Sequence, residues 1–545
     1  VALPFVLPLL RPGWFESHEG LSYPIRLVEV AQCWQDGLWS ARWFPDLNSG
    51  QGYPFLSFYA PFLFWIAGAF HVAGADVALA LRLAAMVGVL LAAFGIDRLV
   101  REGTTTNGAG IVAAGLYIYA PYFVRDMFIR GDLAESLAMG LLPWSLYGML
   151  RLRRCSGAGD VAFAAFAGAL PILAHNILGL FNGLLLALTG VIAVATSSLR
   201  PRWITARAVV VAGIGTLILS AFFWAPALLE KKFVQIDVMT TGHYEVAKHF
   251  VRIDQLLGRG EFPSGQDQGL PMSFELGWVG IACVLAAAAF ARSLWRFHRP
   301  LFILGALFCI VGIARAMKVS APVYETVELL RYVQFPWRFL SVAALGIAIL
   351  GGLAYERTFV RAGNRLSRIT AAVICIAAIL FVFPLLGPRP SFTLPSWALD
   401  PAAYRSKRET TTIGEYLPIW AQEIEAPRGF ENGVKIEGEG RVEHAQRRAG
   451  RIEATLELQA PSKVVLQDLY FPGWKVLANG GELKVAPEEK TGRLSVELSP
   501  GRHELEARLA LTPVRLISGI LSASTGILLL ASAAVSSVRT ARRGH

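Results

Sequence analysis

The sequence predicts a mainly α-helical, polytopic membrane protein with about 12 transmembrane helices and a C-terminal extracytoplasmic β-sandwich. Three observations predict it. The 545 residues are 54% hydrophobic, with a mean hydropathy of +0.48, more apolar than soluble domains. The apolar residues come in runs near the length that spans a bilayer, separated by arginine-bearing segments. Residues 387–512 break this pattern with short alternating stretches and turn dipeptides.

In chain order, Val1 to Leu10 is apolar and ends at Arg11-Pro12-Gly13. As a helix it would reach only about 15 Å, so it is expected to be the remainder of a first span. No cleavable signal-peptide pattern is visible. Further apolar runs are Val77 to Phe94, Gly108 to Val124, Ser136 to Leu150, Val161 to Ala174, Leu178 to Ala195, Ala208 to Ala225, Gly277 to Ala291, Leu301 to Ala314, Phe339 to Ala354, Ile369 to Leu386 and Leu516 to Val535. Phe55 to Val72 is aromatic and proline-punctuated, which suits a helix lying along the outer surface. With that segment not crossing, six arginine-bearing segments fall on one side: Arg98/Arg101, Arg151/Arg153/Arg154, Arg200/Arg202/Arg207, Arg292/Arg296/Arg299, Arg357/Arg361/Arg365/Arg368 and Arg539/Arg542/Arg543. The positive-inside rule makes that side cytoplasmic. Gly103 and Gly363 then face the cytosol, while Ser49, Gly265 and Gly480 face outward. The net charge of +11 is explained by these loops, and nucleic acid is not an expected partner. The five cysteines have no pairing or metal spacing.

Three regions follow: a membrane module over residues 1–386, with a first outer loop at 11–76 and an interfacial helix at 55–72; a β-domain over 387–512; and a last span with a basic tail over 513–545. Strands are expected at Val434 to Glu437, Arg451 to Leu458, Lys463 to Leu469, Trp474 to Ala478, Leu494 to Leu498 and His503 to Leu511. Turn signals at Asn479-Gly480-Gly481, Thr491-Gly492 and Pro500-Gly501 separate several of them.

Ionisable groups near a membrane are costly and mark candidate sites. Trp14-Phe15-Glu16-Ser17-His18-Glu19-Gly20 places two carboxylates and an imidazole within four residues, just after an apolar run. The outer segments add Arg130, Asp132 and Glu135, then His175, His243, Arg331 and Arg338. Taken singly, each has a plain structural explanation: a solvated loop, a helix cap, a headgroup anchor. Taken together, acids, histidines and arginines converge on one face. That set suits transfer of a group from a lipid phosphate. A carboxylate takes a proton from an acceptor hydroxyl, and the leaving phosphate is stabilised in one of two ways. Either arginines pair with it bidentately, or a divalent metal (Mg or Mn) shares the work, with Glu19 and His243 as candidate ligands. No phosphate-binding glycine loop, nucleotide fingerprint or zincin helix motif is present.

Ser17-His18-Glu19 resembles the acidic motif of the first outer loop in GT-C class glycosyltransferases. Arg42-Trp43-Phe44-Pro45-Asp46-Leu47-Asn48-Ser49-Gly50-Gln51-Gly52-Tyr53-Pro54, Phe58-Tyr59-Ala60-Pro61, Ala120-Pro121-Tyr122, Arg130-Gly131-Asp132 to Glu135 and Phe335-Pro336-Trp337-Arg338-Phe339 resemble the bacterial pyruvoyl-tetrahydropterin-synthase-related membrane proteins. Tyr470-Phe471-Pro472-Gly473-Trp474-Lys475-Val476 and Pro500-Gly501-Arg502-His503 are similar to the outer domain of lipoteichoic-acid glycosylation proteins. The resemblance implies a GT-C fold and an inverting sugar transfer from a polyprenyl-phosphate donor to a cell-envelope glycan or lipid acceptor. It places the active site and β-domain on the outer face of the inner membrane. Glu19 matches the acidic catalytic position, where many relatives carry Asp, with His18 and Glu16 as residues that could share the role. Arg130, Asp132, Glu135, His175, His243, Arg331 and Arg338 are the expected substrate- and phosphate-binding set. A lipid or glycan transporter, or a non-catalytic envelope-assembly protein, is the alternative reading. Charges crowded into outer loops rather than spans, with no paired halves, favour the enzyme.

Overall fold

The computed structural model describes residues 1–258, 272–360, 364–387, 391–404, 413–423 and 426–543. The expectations placed on Gly265, Arg361 and Gly363 lie outside these residues. Among the described residues, seven helices are long and apolar enough to cross a membrane, or eight if the pair Trp278–Ala289 and Ala291–Phe297, bent by 75°, forms one span. The sequence reading counted more because several apolar runs do not fold as single long helices. Gly108 to Val124 divides at Pro121 into Asn107–Ile118 and the short turn Pro121–Arg125, since proline removes a backbone donor and sits best in a first helical turn. Phe55 to Val72, expected as one non-crossing helix and not counted among the spans, is two pieces, Phe55–Phe58 and Phe62–Val72, separated at Tyr59-Ala60-Pro61. The second piece reaches about 16 Å, too short to span.

The helix Leu340–Phe359 forms the centre of the bundle: the stretch 336–359 is 100% buried over its most apolar window, against 11% for Pro513–Ser536 at the periphery. Glycine permits the close packing. A Cβ at Gly346 would lie 2.3 Å from the backbone nitrogen of Cys309, and one at Gly140 would lie 2.3 Å from the carbonyl oxygen of Gly88. Small residues at such crossings let backbones approach without a competing side chain.

The C-terminal region holds two antiparallel sheets. The four-stranded sheet runs in the order Val434–Glu437, Ser462–Leu469, Arg493–Leu498, Ala486–Pro487. The five-stranded sheet runs Gly440–Arg448, Arg451–Leu458, Gly501–Leu509, Trp474–Ala478, Gly481–Leu483. In Arg451–Leu458, Ile452, Ala454, Leu456 and Leu458 are buried while the alternate residues are more exposed, as a half-buried strand requires. These residues and Val464, Leu466, Leu494 and Val496 of the other sheet belong to one buried apolar cluster. Gly440–Arg448 was not legible as a strand because eight of its nine residues are at least partly exposed, leaving no apolar alternation to detect.

Two seams join this region to the first outer loop. Trp14–Phe15 pairs antiparallel with Ser391–Phe392. The segment 42–54 docks on the sheets: Gln467 Nε2 donates to the Gly50 carbonyl at 2.6 Å, and the Leu469 amide donates to the Gln51 carbonyl at 2.8 Å.

Candidate active site

The first outer loop is sewn to the loop that precedes helix Leu133–Arg151. The amides of His18 and Glu19 donate to the carbonyls of Ile129 and Arg130, each at 3.0 Å. The approach requires Gly131, which holds φ +71° and whose added Cβ would meet Ser17 Oγ at 2.3 Å. Trp14 Nε1 closes the loop by donating to the Gly20 carbonyl at 2.9 Å.

Beneath this seam lies a buried charge network. Arg130 reaches Asp126 Oδ1 at 2.5 Å, Asp132 Oδ2 at 2.9 Å and Glu135 Oε2 at 2.8 Å. Arg338 Nε donates to the same Glu135 oxygen at 3.1 Å, and its Nη1 donates to the Val333 carbonyl at 2.9 Å and to Gln334 Oε1 at 3.3 Å. Gln334 holds φ +62°, a strained backbone for a non-glycine residue, at the turn that presents Arg338. Tyr23 donates its hydroxyl to Asp132 Oδ1 at 2.7 Å, and Tyr122 donates to Glu135. Asp132 also caps its helix by accepting from the Glu135 amide. Burial pushes the Asp132 carboxyl up, but the guanidinium of Arg130, and after it that of Arg338, outweighs burial and holds the group below the usual carboxylate range.

His175 caps helix Asn176–Ala195, accepting from the Leu178 amide at Nδ1. Nδ1 is therefore the acceptor nitrogen and Nε2 carries the proton of the neutral ring. Nε2 faces Asp132 at 3.7 Å and Glu135 at 3.9 Å. Burial lowers the pKa of the ring, against the opposing pull of those two carboxylates.

A cavity of about 800 Å³ opens above this floor. His18, Glu19, Arg130, Asp132, His175, His243 and Arg338 all line it. Glu135 is fully buried behind the wall and reaches the cavity only through the arginines it binds. Two expected residues are not brought in. Glu16 is half-buried and does not line the cavity. Arg331 is exposed and donates to the Glu325 carbonyl at 3.2 Å, because the backbone break at Gln334 separates its turn from that of Arg338.

The sequence reading missed several lining groups. Arg26 and Tyr59 line the cavity, as does Glu415 from the segment that leads into the β-domain. Arg26 sits within the otherwise apolar start of helix Ser22–Gln35, and a lone cation on an apolar helix face is the signal that would have found it. An aromatic wall leads inward: His243 and His249 rings lie 4.9 Å apart, His249 and Phe335 4.7 Å, and Phe335 stacks on Trp337 at 4.9 Å. The Arg130 guanidinium lies 4.9 Å over the Trp337 ring. The opposite limb is apolar, lined by Ile177, Leu180, Leu217 and Leu228.

Among the described residues, the cluster of metal-ligating atoms is Asp132, Glu135 and His175, all within 4.8 Å of one another. Glu19 and His243 are not in it. The oxygens that would face an ion, Asp132 Oδ2 and Glu135 Oε2, already accept from Arg130. An ion ligated by these oxygens would therefore share them with the Arg130 guanidinium.

Fold and cavity together define a polytopic membrane protein with a charged, aromatic-walled site where its inter-helix loops leave the helix bundle. The model of the 6-pyruvoyl-tetrahydropterin synthase related domain, described as a membrane protein, matches residues 56–394, more than half of the chain. The chain belongs to that family of membrane proteins. None of the curated proteins matches it. Among solved structures, it is similar to arabinofuranosyltransferase AftD from Mycobacteria, at 18% identity and TM-score 0.43, over 73% of this chain and 28% of that one. It is similar to the Archaeoglobus fulgidus oligosaccharyltransferase tethered with an acceptor peptide, at 13% identity and TM-score 0.43, over 79% of this chain and 60% of that one. It is also similar to ArnT from Cupriavidus metallidurans bound to undecaprenyl phosphate, at 13% identity and TM-score 0.37, over 76% of this chain and 73% of that one. The chain thus spans 28% and 60% of the length of the first two.

Proposed function

We propose that this protein transfers a sugar from a polyprenyl-phosphate donor to an acceptor hydroxyl of an envelope glycan or lipid, on the outer face of the inner membrane. The observation that carries this reading is one cavity that joins an apolar limb, an acid–arginine floor and an aromatic wall. Its volume of about 800 Å³ suits a sugar phosphate with the first isoprene units. The apolar limb along Ile177, Leu180 and Leu217 takes the hydrocarbon. The ring faces of Phe335 and Trp337, electron-rich at their centres, suit the polarised C–H groups of a sugar.

In the proposed step, the acceptor oxygen attacks the anomeric carbon from the side opposite the phosphate. A new carbon–oxygen bond forms as the carbon–oxygen bond to phosphate breaks, and the bonding pair leaves with the phosphate oxygen. The acceptor proton passes to Glu19. Burial raises the Glu19 pKa despite the nearby Arg26, which makes its carboxylate a better base. Arg130 and Arg338 supply the positive field that stabilises the departing phosphate, and His243 lines the same cavity. A single displacement inverts the anomeric centre. The test is incubation of the purified protein in nanodiscs with labelled undecaprenyl-phosphate sugars and envelope glycan or lipid acceptors. Transfer of label supports the reading. Failure both to bind and to turn over any polyprenyl-phosphate sugar would remove it.

A further inference from the structure

Arg26 differs from the other two buried arginines of the cavity. Arg130 is held by three carboxylates, and Arg338 by Glu135, Val333 and Gln334. Arg26 is only 4% exposed, yet its Nε has no hydrogen-bond partner. Its ion-pair partner among the described residues is Glu19, whose Oε2 lies 3.7 Å from Nη1, beyond good hydrogen-bond range. What holds the guanidinium in place is aromatic: it lies 4.7 Å from the Phe55 ring centre and 5.6 Å from those of Tyr23 and Tyr59. Ring faces stabilise a cation without using its N–H donors. Arg26 therefore presents a preorganised donor fork to the cavity, with a carboxylate beside it that is charge-paired but not well bonded.

An arginine fork matches two oxygens of a phosphate. Leaving those donors unmet in a buried site costs free energy, which an incoming oxyanion recovers. We infer that Arg26 is an anion latch: at rest it is charge-paired with Glu19 across 3.7 Å, and a phosphate oxyanion of the substrate takes its unmet donors, displaces that charge pairing and frees the Glu19 carboxylate for the acceptor. The inference rests on the proposed transfer reaction for the role of Glu19. The oxyanion receptor itself does not depend on that reaction. No bond is made or broken in the exchange; one anionic partner replaces another on the guanidinium.

Two ligands test the latch separately from the reaction: undecaprenyl phosphate in the nanodisc, and inorganic pyrophosphate in solution. Binding is read by calorimetry on the full chain, with the melting temperature measured alongside. Arg26→Met, which keeps the apolar stem between the rings, is expected to weaken oxyanion binding by about tenfold or more, and Arg26→Lys by less. Glu19→Gln removes the competing anion and is expected to tighten binding several-fold, and to do so much less in the Arg26→Met background if the two anions compete for this guanidinium. Arg26→Met binding like the wild type would overturn the latch, as would Glu19→Gln leaving affinity unchanged or weaker. If Arg26→Met fails to fold, Glu19→Gln decides alone. Arg26-dependent binding of pyrophosphate without undecaprenyl phosphate would support the latch and count against the lipid donor. Turnover and binding of the lipid that are indifferent to Arg26 would remove the latch and leave the transfer reading intact. A wild-type protein that binds neither ligand overturns the latch.

Discussion

The indole nitrogen of Trp43 donates to Asp468 Oδ1 at 2.7 Å, joining the first outer loop to the C-terminal sheets. Arg447 clamps the same carboxylate through Nε at 2.7 Å and reaches back to the Pro45 carbonyl at 2.7 Å. The segment 42–54 is thus bound to the C-terminal sheets, as the Glu19 loop is bound to the carbonyls of Ile129 and Arg130, and both parts of this loop are fixed by contacts distant in sequence. Asp468→Ala leaves the buried Arg447 guanidinium with Asp46 Oδ1, at 3.8 Å, as its remaining carboxylate partner. It is expected to destabilise the protein by about 3–5 kcal/mol, and Asp468→Asn by less. Thermal unfolding of the purified variants checks this.

Gly131→Ala is expected to lower both stability and sugar transfer. The new Cβ would meet Ser17 Oγ at 2.3 Å, and the residue would keep φ +71°. The conformational part costs about 1–2 kcal/mol, and the contact adds to it. Gly131→Ala with Ser17→Gly removes the contact but not the backbone strain, so it should recover part of the lost melting temperature. No recovery would mean that the seam between the two loops is not what the alanine disturbs.

Arg338 and Arg331 share a short segment and should behave differently. Arg338→Ala removes a 6% exposed guanidinium from Glu135 and should cost about 3–5 kcal/mol along with most transfer activity. Arg338→Lys should restore only part, because lysine lacks the planar fork. Arg331→Ala, at an exposed residue, should change stability by no more than about 0.5 kcal/mol and leave transfer near normal. Equal losses at the two positions in turnover and melting assays would contradict this assignment.

How much of this was legible in the sequence depends on what each residue's neighbours were. Glu19, Arg130, Asp132 and Arg338 stood out because they lie in short polar segments between apolar runs. Arg26 did not, because its local sequence reads as a helix and its aromatic cage comes from Tyr23 together with Phe55 and Tyr59, about thirty residues away along the chain. Arg331 was taken with Arg338 because both flank one aromatic motif; a positive φ at Gln334 separates them, and nothing in residue type announces it. Strands with one buried face were readable from alternation, while the exposed strand Gly440–Arg448 was not. The single helix expected over 55–72 divides because Pro61 sits between Phe58 and Phe62, a signal present in the sequence but outweighed by the aromatic run around it.

The last prediction concerns pH. Burial raises the Glu19 pKa above its ordinary value, and Arg26 only partly offsets this. A folded-state pKa above the unfolded one means that ionising Glu19 costs stability: its contribution is most favourable below the unfolded value of about 4.3 and declines as pH rises through the folded value. Glu19→Gln is therefore expected to melt at or above the wild-type temperature near neutral pH. Its turnover should nevertheless fall by about 10²–10⁴-fold, since the amide cannot take the acceptor proton. In the wild type, turnover should rise with pH through the raised Glu19 pKa, and that rise should be missing from the residual activity of Glu19→Gln. Asp132 has the opposite sign. Its lowered folded pKa gives stability that is present above about pH 3.9 and lost as pH falls toward the folded value. Acid titration should thus unfold the protein well below the pH at which turnover is lost. Turnover and unfolding that disappear together, with Glu19→Gln sharing the wild-type pH profile, would place the active proton on another group.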